Sequence, residues 1–279
     1  MSFTVRSAPA RSILIATALA LVPAAASEAQ APSGLAASAL ANPSFKWIRR
    51  EAPGFRVYFL ADSYPAQHQD SLLARLQPAL AHARELIDAP MPAGPIDLFF
   101  IESRPQMAAL AGFGATGFAD PANRTVLLVT NPQWRAFERH EIMHVVAGQA
   151  WGPSGANTDW LQEGLAQAAD GRCAGYSNAD VALALAHRRG WIPFQLVLER
   201  FREQPDLRAY LQAAAFTDYL LRQYGPEPLK RLWKKGARAD SIVDGLPLAA
   251  IERNWRKGLT PRSWLDPGLL TRVEVKGCG

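Results

Sequence analysis

The hydrophobic pattern changes character once along the chain, from strand-like segments near the start to helical spacing afterwards. "FRVYFL" (55–60) alternates like a half-buried strand, and "IDLFFI" (96–101) is a second apolar run of strand length. Between them, residues 65–88 carry apolar positions at helical spacing. The same reasoning predicts a short helix and two further strands, at 104–111, 115–119 and 125–129.

Beyond residue 131 the pattern is helical, with no strong strand signal before the C-terminal tail. The predicted helices lie near 132–149, 159–170, 178–188, 193–203, 207–224, 226–235 and 247–257. Asn131 and Pro132 predict the start of the first, and Gly148 together with the Gly152–Pro153 pair predicts its end. Strands followed by helices favour an α+β fold, a small N-terminal mixed sheet and then a helical half, over a doubly wound sheet.

The first residues are typical of a secretory signal peptide, expected over 1–29. A basic start is followed by the apolar run "SILIATALALVPAAA" and by small residues that offer cleavage positions. An uncleaved membrane anchor is the alternative, but the run contains Pro23 and is short for a span of about 20 residues. We therefore expect an exported protein, periplasmic or extracellular, without stable membrane insertion after cleavage.

Composition predicts one catalytic-sized domain. Residues 30–44 are small and polar and indicate a flexible leader, which leaves 45–279 for the domain and a C-terminal helical extension. The chain has 279 residues, is 49% apolar, and carries a formal net charge of +5, which falls short of a nucleic-acid-binding signature. The basic stretch "LKRLWKKGAR" is explained by cations at a helix C-terminus ending at Gly236.

Two cysteines, Cys173 and Cys278, lie in the predicted mature chain. In an oxidising compartment they could form a disulfide that ties the C-terminal tail to the segment after residue 170. Two free thiols are the alternative, because connectivity cannot be read from sequence.

Candidate chemistry begins with "HEIMH" (140–144). On a helix, His140 and His144 share one face with Cβ atoms about 5–6 Å apart, so both imidazoles can bind one zinc ion. Glu141 is rotated by about 100° from His140 and therefore flanks the metal. This is the HExxH arrangement, in which the glutamate serves as general base. The alternative is a helix with two ordinary histidines.

A catalytic zinc with two histidine ligands needs a third protein ligand and an open position for water. The metzincin pattern is excluded, because Ala147 and Ala150 occupy the positions of its glycine and third histidine. Glu163 follows His144 with 18 residues between them, inside the apolar stripe of the predicted helix "TDWLQEGLAQAAD". A carboxylate there is costly unless it is paired or bound to metal. Glu163 is therefore the predicted third ligand.

The spacing of "HEIMH" and "WLQEG" resembles the gluzincin, thermolysin-like zinc peptidases, particularly the zinc aminopeptidases and the small bacterial peptidase MA-like proteins. "AYLQAAAFTDYLLRQYGPEPLKRL" and "LPLAAIERNWRKGL" are similar to helices that follow the metal site in those families, so the resemblance covers roughly 55–257. It implies a thermolysin-like metallopeptidase domain with one Zn²⁺ per chain, held by His140, His144 and Glu163, with Glu141 as base.

The resemblance also implies roles for residues outside the metal ligands. Tyr210 occupies the place of a tyrosine that points at the developing oxyanion; an anchoring tyrosine is the alternative, and His187 is the only downstream histidine that could serve instead. "GFADPANRTVLLV" is similar to the edge strand that pairs with substrate backbone near Gly117 and Ala119. The aminopeptidases carry an acidic motif that binds the free substrate amine, and here "GFADP" has only Asp120. An open cleft, without the large domains that enclose the aminopeptidase site, is also expected and favours an endopeptidase.

The predicted function is hydrolysis of peptide bonds in peptide or protein substrates by a zinc-activated water, with Asp170 and Gln167 as candidate acceptors for the second ring N–H of the histidines. A non-catalytic, zinc-containing envelope binding protein is the rival, although a structural zinc has no need of Glu141. Hydrolysis of a non-peptide amide is a third possibility. The sequence indicates neither side-chain specificity nor oligomeric state.

Overall fold

A mixed sheet and a helical half form the described part of the chain, residues 31–260 and 266–278 of the computed structural model. The predicted signal peptide lies outside these residues. The strands are β1 Trp47–Ala52, β2 Phe55–Leu60, β3 Ile96–Ile101, β4 Gly117–Asp120, β5 Thr125–Val129, β6 Arg172–Cys173, β7 Tyr176–Ser177, β8 Ile242–Val243 and β9 Leu246–Pro247.

The α-helices precede, interleave with and follow the sheet. They are α1 Gly34–Ala41, α2 Tyr64–Gln67, α3 Gln69–Ile87, α4 Arg104–Ala111, α5 Glu138–Trp151, α6 Asp159–Asp170, α7 Asn178–Arg189, α8 Phe194–Glu199, α9 Asp206–Tyr224, α10 Pro226–Lys235, α11 Leu248–Gly258 and α12 Pro267–Lys276. A 3-10 helix, Phe201–Glu203, connects α8 to α9. The predicted α+β architecture, a small N-terminal mixed sheet followed by a helical half, is confirmed.

The five-stranded sheet has the order β1-β2-β3-β5-β4. The central strands β2, β3 and β5 pair in parallel, and β1 and β4 add antiparallel edges. Alternate residues of the central strands enter two different cores, one with α3 and α5 and the other with α1 and α4. Burial on both faces explains why "IDLFFI" is apolar at nearly every position.

The N-terminal segment corrects one expectation and adds one strand that was not predicted. Residues 34–41 lie within the predicted flexible leader, yet they form α1, whose Ala36 and Ala39 are buried in the second core. The prediction of a flexible leader is wrong over this range, because small apolar residues allow the helix to pack closely. Strand β1 was not predicted, since its four middle residues, "IRRE", are all exposed and carry no core-facing alternation.

Helix α5 begins later than predicted. Asn131 does not cap it: its Oδ1 accepts hydrogen bonds from the backbone N–H groups of Gln133 and Trp134, closing a turn that ends in an isolated bridge. The helix begins at Glu138 instead. Gly148 does not end it either; it lies inside the helix, where an added Cβ would overlap Pro121, and Gly152 is the C-cap.

The C-terminal tail is fastened to the helical half. Cys173 and Cys278 form a disulfide, which decides between the two alternatives that the sequence left open. Glu274 on α12 pairs with Arg188 and Arg189 at the end of α7. Helix α10 ends with Lys234 and Lys235 before Gly236, as the basic stretch predicted. Among the described helices, none combines the length and apolar character needed to cross a bilayer.

Candidate metal centre

Helix α5 presents two histidines on one side and packs its other sides into the core. His140 and His144 are one turn apart, and their side chains are 12% and 15% exposed. The residues between and beyond them, Ile142, Met143 and Val145, are fully buried. The core contacts therefore fix the helix so that both imidazoles face the same cleft.

Helix α6 brings a carboxylate to the same place. Its boundaries agree with the prediction, with Thr158 preceding it and Gly171 closing it in a left-handed conformation, φ 81°. Glu163 is buried on its second turn. The next residue, Gly164, lies against α9, where an added Cβ would come within 2.9 Å of the Ala213 carbonyl oxygen. Glycine at this position lets α6 and α9 approach closely, and this packing positions the neighbouring Glu163 in the cleft.

The three side chains converge. His140 Nε2 and His144 Nε2 are 3.2 Å apart, and Glu163 Oε2 lies 3.3 Å from the first and 3.5 Å from the second. Together they form a group that could hold a metal ion, the only one of three or more His, Cys, Asp or Glu side chains found among the described residues. The structure thus places the three predicted metal ligands within reach of one ion.

The electrostatics keep this carboxylate ionised. Burial would raise the pKa of Glu163, but hydrogen bonds from His140 and His144 hold it well below its ordinary range. Burial also opposes protonation of His140, yet its hydrogen bond to Glu163 leaves the His140 pKa raised. Glu163 is therefore an anion at neutral pH, the form that a metal ligand requires.

Glu141 faces the cleft from the same helix. It is buried, and burial raises its pKa above the ordinary value against the opposing charges of His140 and His144. The edge strand β4 lies close to it, since a Cβ atom added at Gly117 would overlap the Glu141 carboxylate. The cleft between β4, α5 and α6 has a volume of about 670 Å³. Its lining includes the three predicted metal ligands and the predicted general base: His140, His144, Glu163 and Glu141.

Tyr210 also lines this cleft, whereas His187 lies exposed on α7 and is not among its lining residues. The Tyr210 ring is stacked with His140 at a centroid distance of 6.3 Å and packs against Phe201 at 5.4 Å. The structure therefore brings the tyrosine, and not the downstream histidine, to the candidate centre.

One residue at the centre, Arg202, has no counterpart in the sequence predictions. Its Nη1 lies 2.8 Å from Glu163 Oε1 and donates to the Tyr210 hydroxyl at 3.2 Å, while its Nε pairs with Asp159 at 3.3 Å. No spacing rule indicates these contacts, because they depend on how the 3-10 helix lies over α6. The only sequence signal is an arginine eight residues before Tyr210.

Aromatic side chains line one end of the cleft. Strand β4 starts beside the end of β5, so the loop before β4 and the turn after β5 emerge together. Phe113 from the loop and Trp134 from the turn are 45% and 40% exposed, and Phe118 and Phe137 line the cleft beside them. Phe113 and Trp134 are the two aromatic residues among the exposed large hydrophobic residues of the described chain.

The two candidate outer acceptors make other contacts in the structure. Asp170 pairs with Arg135 at 3.0 Å instead of with a histidine ring. Gln167 lines the cleft one turn after Glu163, and its buried Nε2 has no hydrogen-bond partner within the described structure. Its backbone oxygen accepts from Asn178.

No protein-family model matches the chain, and no curated protein is significantly similar to it in sequence.

Proposed function

We propose that this protein is an exported zinc metallopeptidase of the thermolysin-like, gluzincin type, acting as an endopeptidase. The observation that carries the proposal is the convergence of His140, His144 and Glu163 in one cleft, with Glu141 on the same helix turn. The cysteine pair supports export, because disulfides persist in oxidising compartments.

The separations of the donor atoms fit zinc. Ligand atoms about 2.0–2.1 Å from a tetrahedral zinc are about 3.3–3.4 Å from one another. The three donor separations here are 3.2, 3.3 and 3.5 Å. Two imidazoles and one carboxylate also match a catalytic zinc set, which keeps its fourth position open. When bound, zinc supplies a Lewis acid that makes a water acidic near neutral pH and polarises a carbonyl.

Two side chains around the centre have separate roles in the proposed reaction. The Glu141 carboxylate accepts a proton from the attacking water and passes it to the leaving amine nitrogen. Glu141 suits this role because it lines the cleft without being part of the metal-ligand group. The Tyr210 hydroxyl, at the opposite wall, donates to the carbonyl oxygen as negative charge develops on it.

The cleft suits an extended peptide. Strand β4 is the last strand of the sheet order, so one of its sides has no strand partner among the described residues and can pair with a substrate backbone. The exposed rings of Phe113 and Trp134 at the cleft end offer a surface for a large apolar side chain. The sequence "GFADP" has only Asp120 where the aminopeptidases carry an acidic motif for the substrate amine, which favours cleavage within peptides.

Metal content and cleavage together test the proposal. Purified protein is expected to carry equimolar zinc, lost in His140→Ala and Glu163→Ala, and to cleave members of a peptide library. Glu141→Gln should keep zinc while its cleavage rate falls by about 10²–10⁴-fold.

Each negative result has a distinct meaning. Undiminished zinc in both ligand variants would refute the ligand set. Full activity of Glu141→Gln would refute the general base. Zinc without cleavage of any peptide would favour the non-catalytic binding protein.

A further inference from the structure

The two oxygens of Glu163 face different partners. Oε2 points at the two histidines, 3.3 Å and 3.5 Å from their Nε2 atoms. Oε1 lies 2.8 Å from Arg202 Nη1. A buried carboxylate thus makes a charge-assisted contact with each of its oxygens, and tilting it so that both oxygens faced the histidines would break the contact with Arg202.

Arg202 is itself held from three directions. Its Nε pairs with Asp159 Oδ2 at 3.3 Å, one turn before Glu163 on the same face of α6. Its Nη1 donates to the Tyr210 hydroxyl at 3.2 Å, at the start of α9. The preceding residue, Phe201, is buried and anchors the 3-10 helix. A planar guanidinium fixed at several donors cannot follow a rotating carboxylate.

We propose that Arg202 is a positioning residue that restricts Glu163 to a single oxygen ligand, Oε2, at the metal centre. A carboxylate that offered both oxygens would fill the position that a catalytic zinc keeps open. Arg202 holds Oε1 outside the coordination sphere and so keeps that position available for water and substrate. This inference rests on the proposed zinc site.

Cobalt(II) in the full chain reports the number of ligands directly, because its visible absorption is strong with four ligands and weakens as more are added. The wild-type protein should give the strong spectrum. Arg202→Met keeps an unbranched apolar stem but removes every donor, and is expected to lose absorption intensity. Arg202→Lys retains one donor for Oε1 and should restore most of it.

A matched control is Arg200→Met. Arg200 lies two residues before Arg202, pairs with Glu203 on the surface, and has a side chain that is similarly exposed, 58% against 55%. Its cobalt spectrum should equal that of the wild type. This control separates loss of an arginine near the 3-10 helix from loss of the Glu163 contact.

The possible outcomes distinguish a failure of the proposed role of Arg202 from a failure of the proposed metal centre. Failure of the wild type to bind cobalt would refute the metal centre itself. Bound cobalt with an unchanged spectrum in Arg202→Met, or a weak spectrum in the wild type, would overturn the role of Arg202 alone. If Arg202→Met does not fold by circular dichroism, Arg202→Gln replaces it with the same criteria, because its shorter side chain cannot span to Glu163.

Discussion

Gly117 on the edge strand β4 lies directly against Glu141 on helix α5. A Cβ atom on residue 117 would overlap Glu141 Oε1 and come within 2.8 Å of its Cδ and 3.0 Å of its Cγ. Only glycine permits this approach of strand to side chain. The backbone of the proposed substrate-binding strand therefore sets the position of the proposed general base.

Gly117→Ala is expected to displace the Glu141 carboxylate without touching the metal ligands. Because a misplacement of about 1 Å can cost about 10²-fold in rate, kcat/KM should fall by about that factor while bound zinc stays equimolar. Gly114→Ala is the control, since its Cβ would meet Arg104 atoms only at 3.5 and 3.8 Å, an ordinary contact. Equal activity of both variants would show that the contact with Gly117 does not position Glu141.

Tyr210→Phe separates the two roles that the sequence left open. The phenylalanine ring keeps the packing against Phe201, so the free energy of unfolding should change little. Loss of the hydroxyl should lower kcat by about 10²–10³-fold at nearly constant KM, as for removal of an oxyanion donor. A destabilised variant with undiminished kcat would instead identify an anchoring tyrosine.

Gly164→Ala tests the close packing that holds α6 against α9. Its Cβ would overlap Thr217 Oγ1 and meet the Ala213 backbone oxygen at 2.9 Å, and a backbone atom cannot move aside easily. We expect a loss of about 1–3 kcal/mol in the free energy of unfolding, measured by chemical denaturation. Gly258→Ala, with open space around its Cβ, should lose none.

Sequence reasoning located the elements whose burial repeats at a regular period. Helix α6 was predicted at its observed bounds, because its apolar stripe is continuous and Gly171 closes it. Strands β3 and β5 were predicted instead from short apolar runs, since both are buried along their whole length. Periodicity failed for β1, because its exposed charged residues form no apolar stripe and its place in the sheet comes from pairing with β2.

Local rules failed where long-range contacts decided the structure. Asn131 and Pro132 have the chemistry of a helix start, but the Asn131 side chain also donates to the Glu102 carbonyl oxygen, which fixes it in a turn beside the sheet. The metal-ligand positions came from motif spacing. Arg202 could not be found that way, because its contacts join residues 43, 39 and 8 positions away.

The aromatic end of the cleft should set a preference for large apolar residues in the substrate. Two peptides are compared that differ only in carrying phenylalanine or alanine at the position where the wild type prefers a large apolar residue. In Phe113→Ser, kcat/KM for the phenylalanine peptide should fall by about 10-fold or more, with little change for the alanine peptide. Met91→Ser, an equally exposed apolar residue outside the cleft lining, serves as control. Equal losses for both peptides would argue against a side-chain subsite at Phe113.

The disulfide should contribute stability to the helical half that carries Glu163. Cys173 follows α6 by three residues, and the bond to Cys278 closes a loop with a sequence separation of 105. Closing so long a loop restricts the unfolded chain, so Cys173→Ser with Cys278→Ser is expected to lose about 2–4 kcal/mol in the free energy of unfolding. Denaturation of the wild type with a thiol reductant should reproduce this loss, and the reductant should have no effect on the double variant. If the reduced wild type were as stable as the oxidised protein, the bond would serve only to hold the tail near α7, where Glu274 already pairs with Arg188 and Arg189.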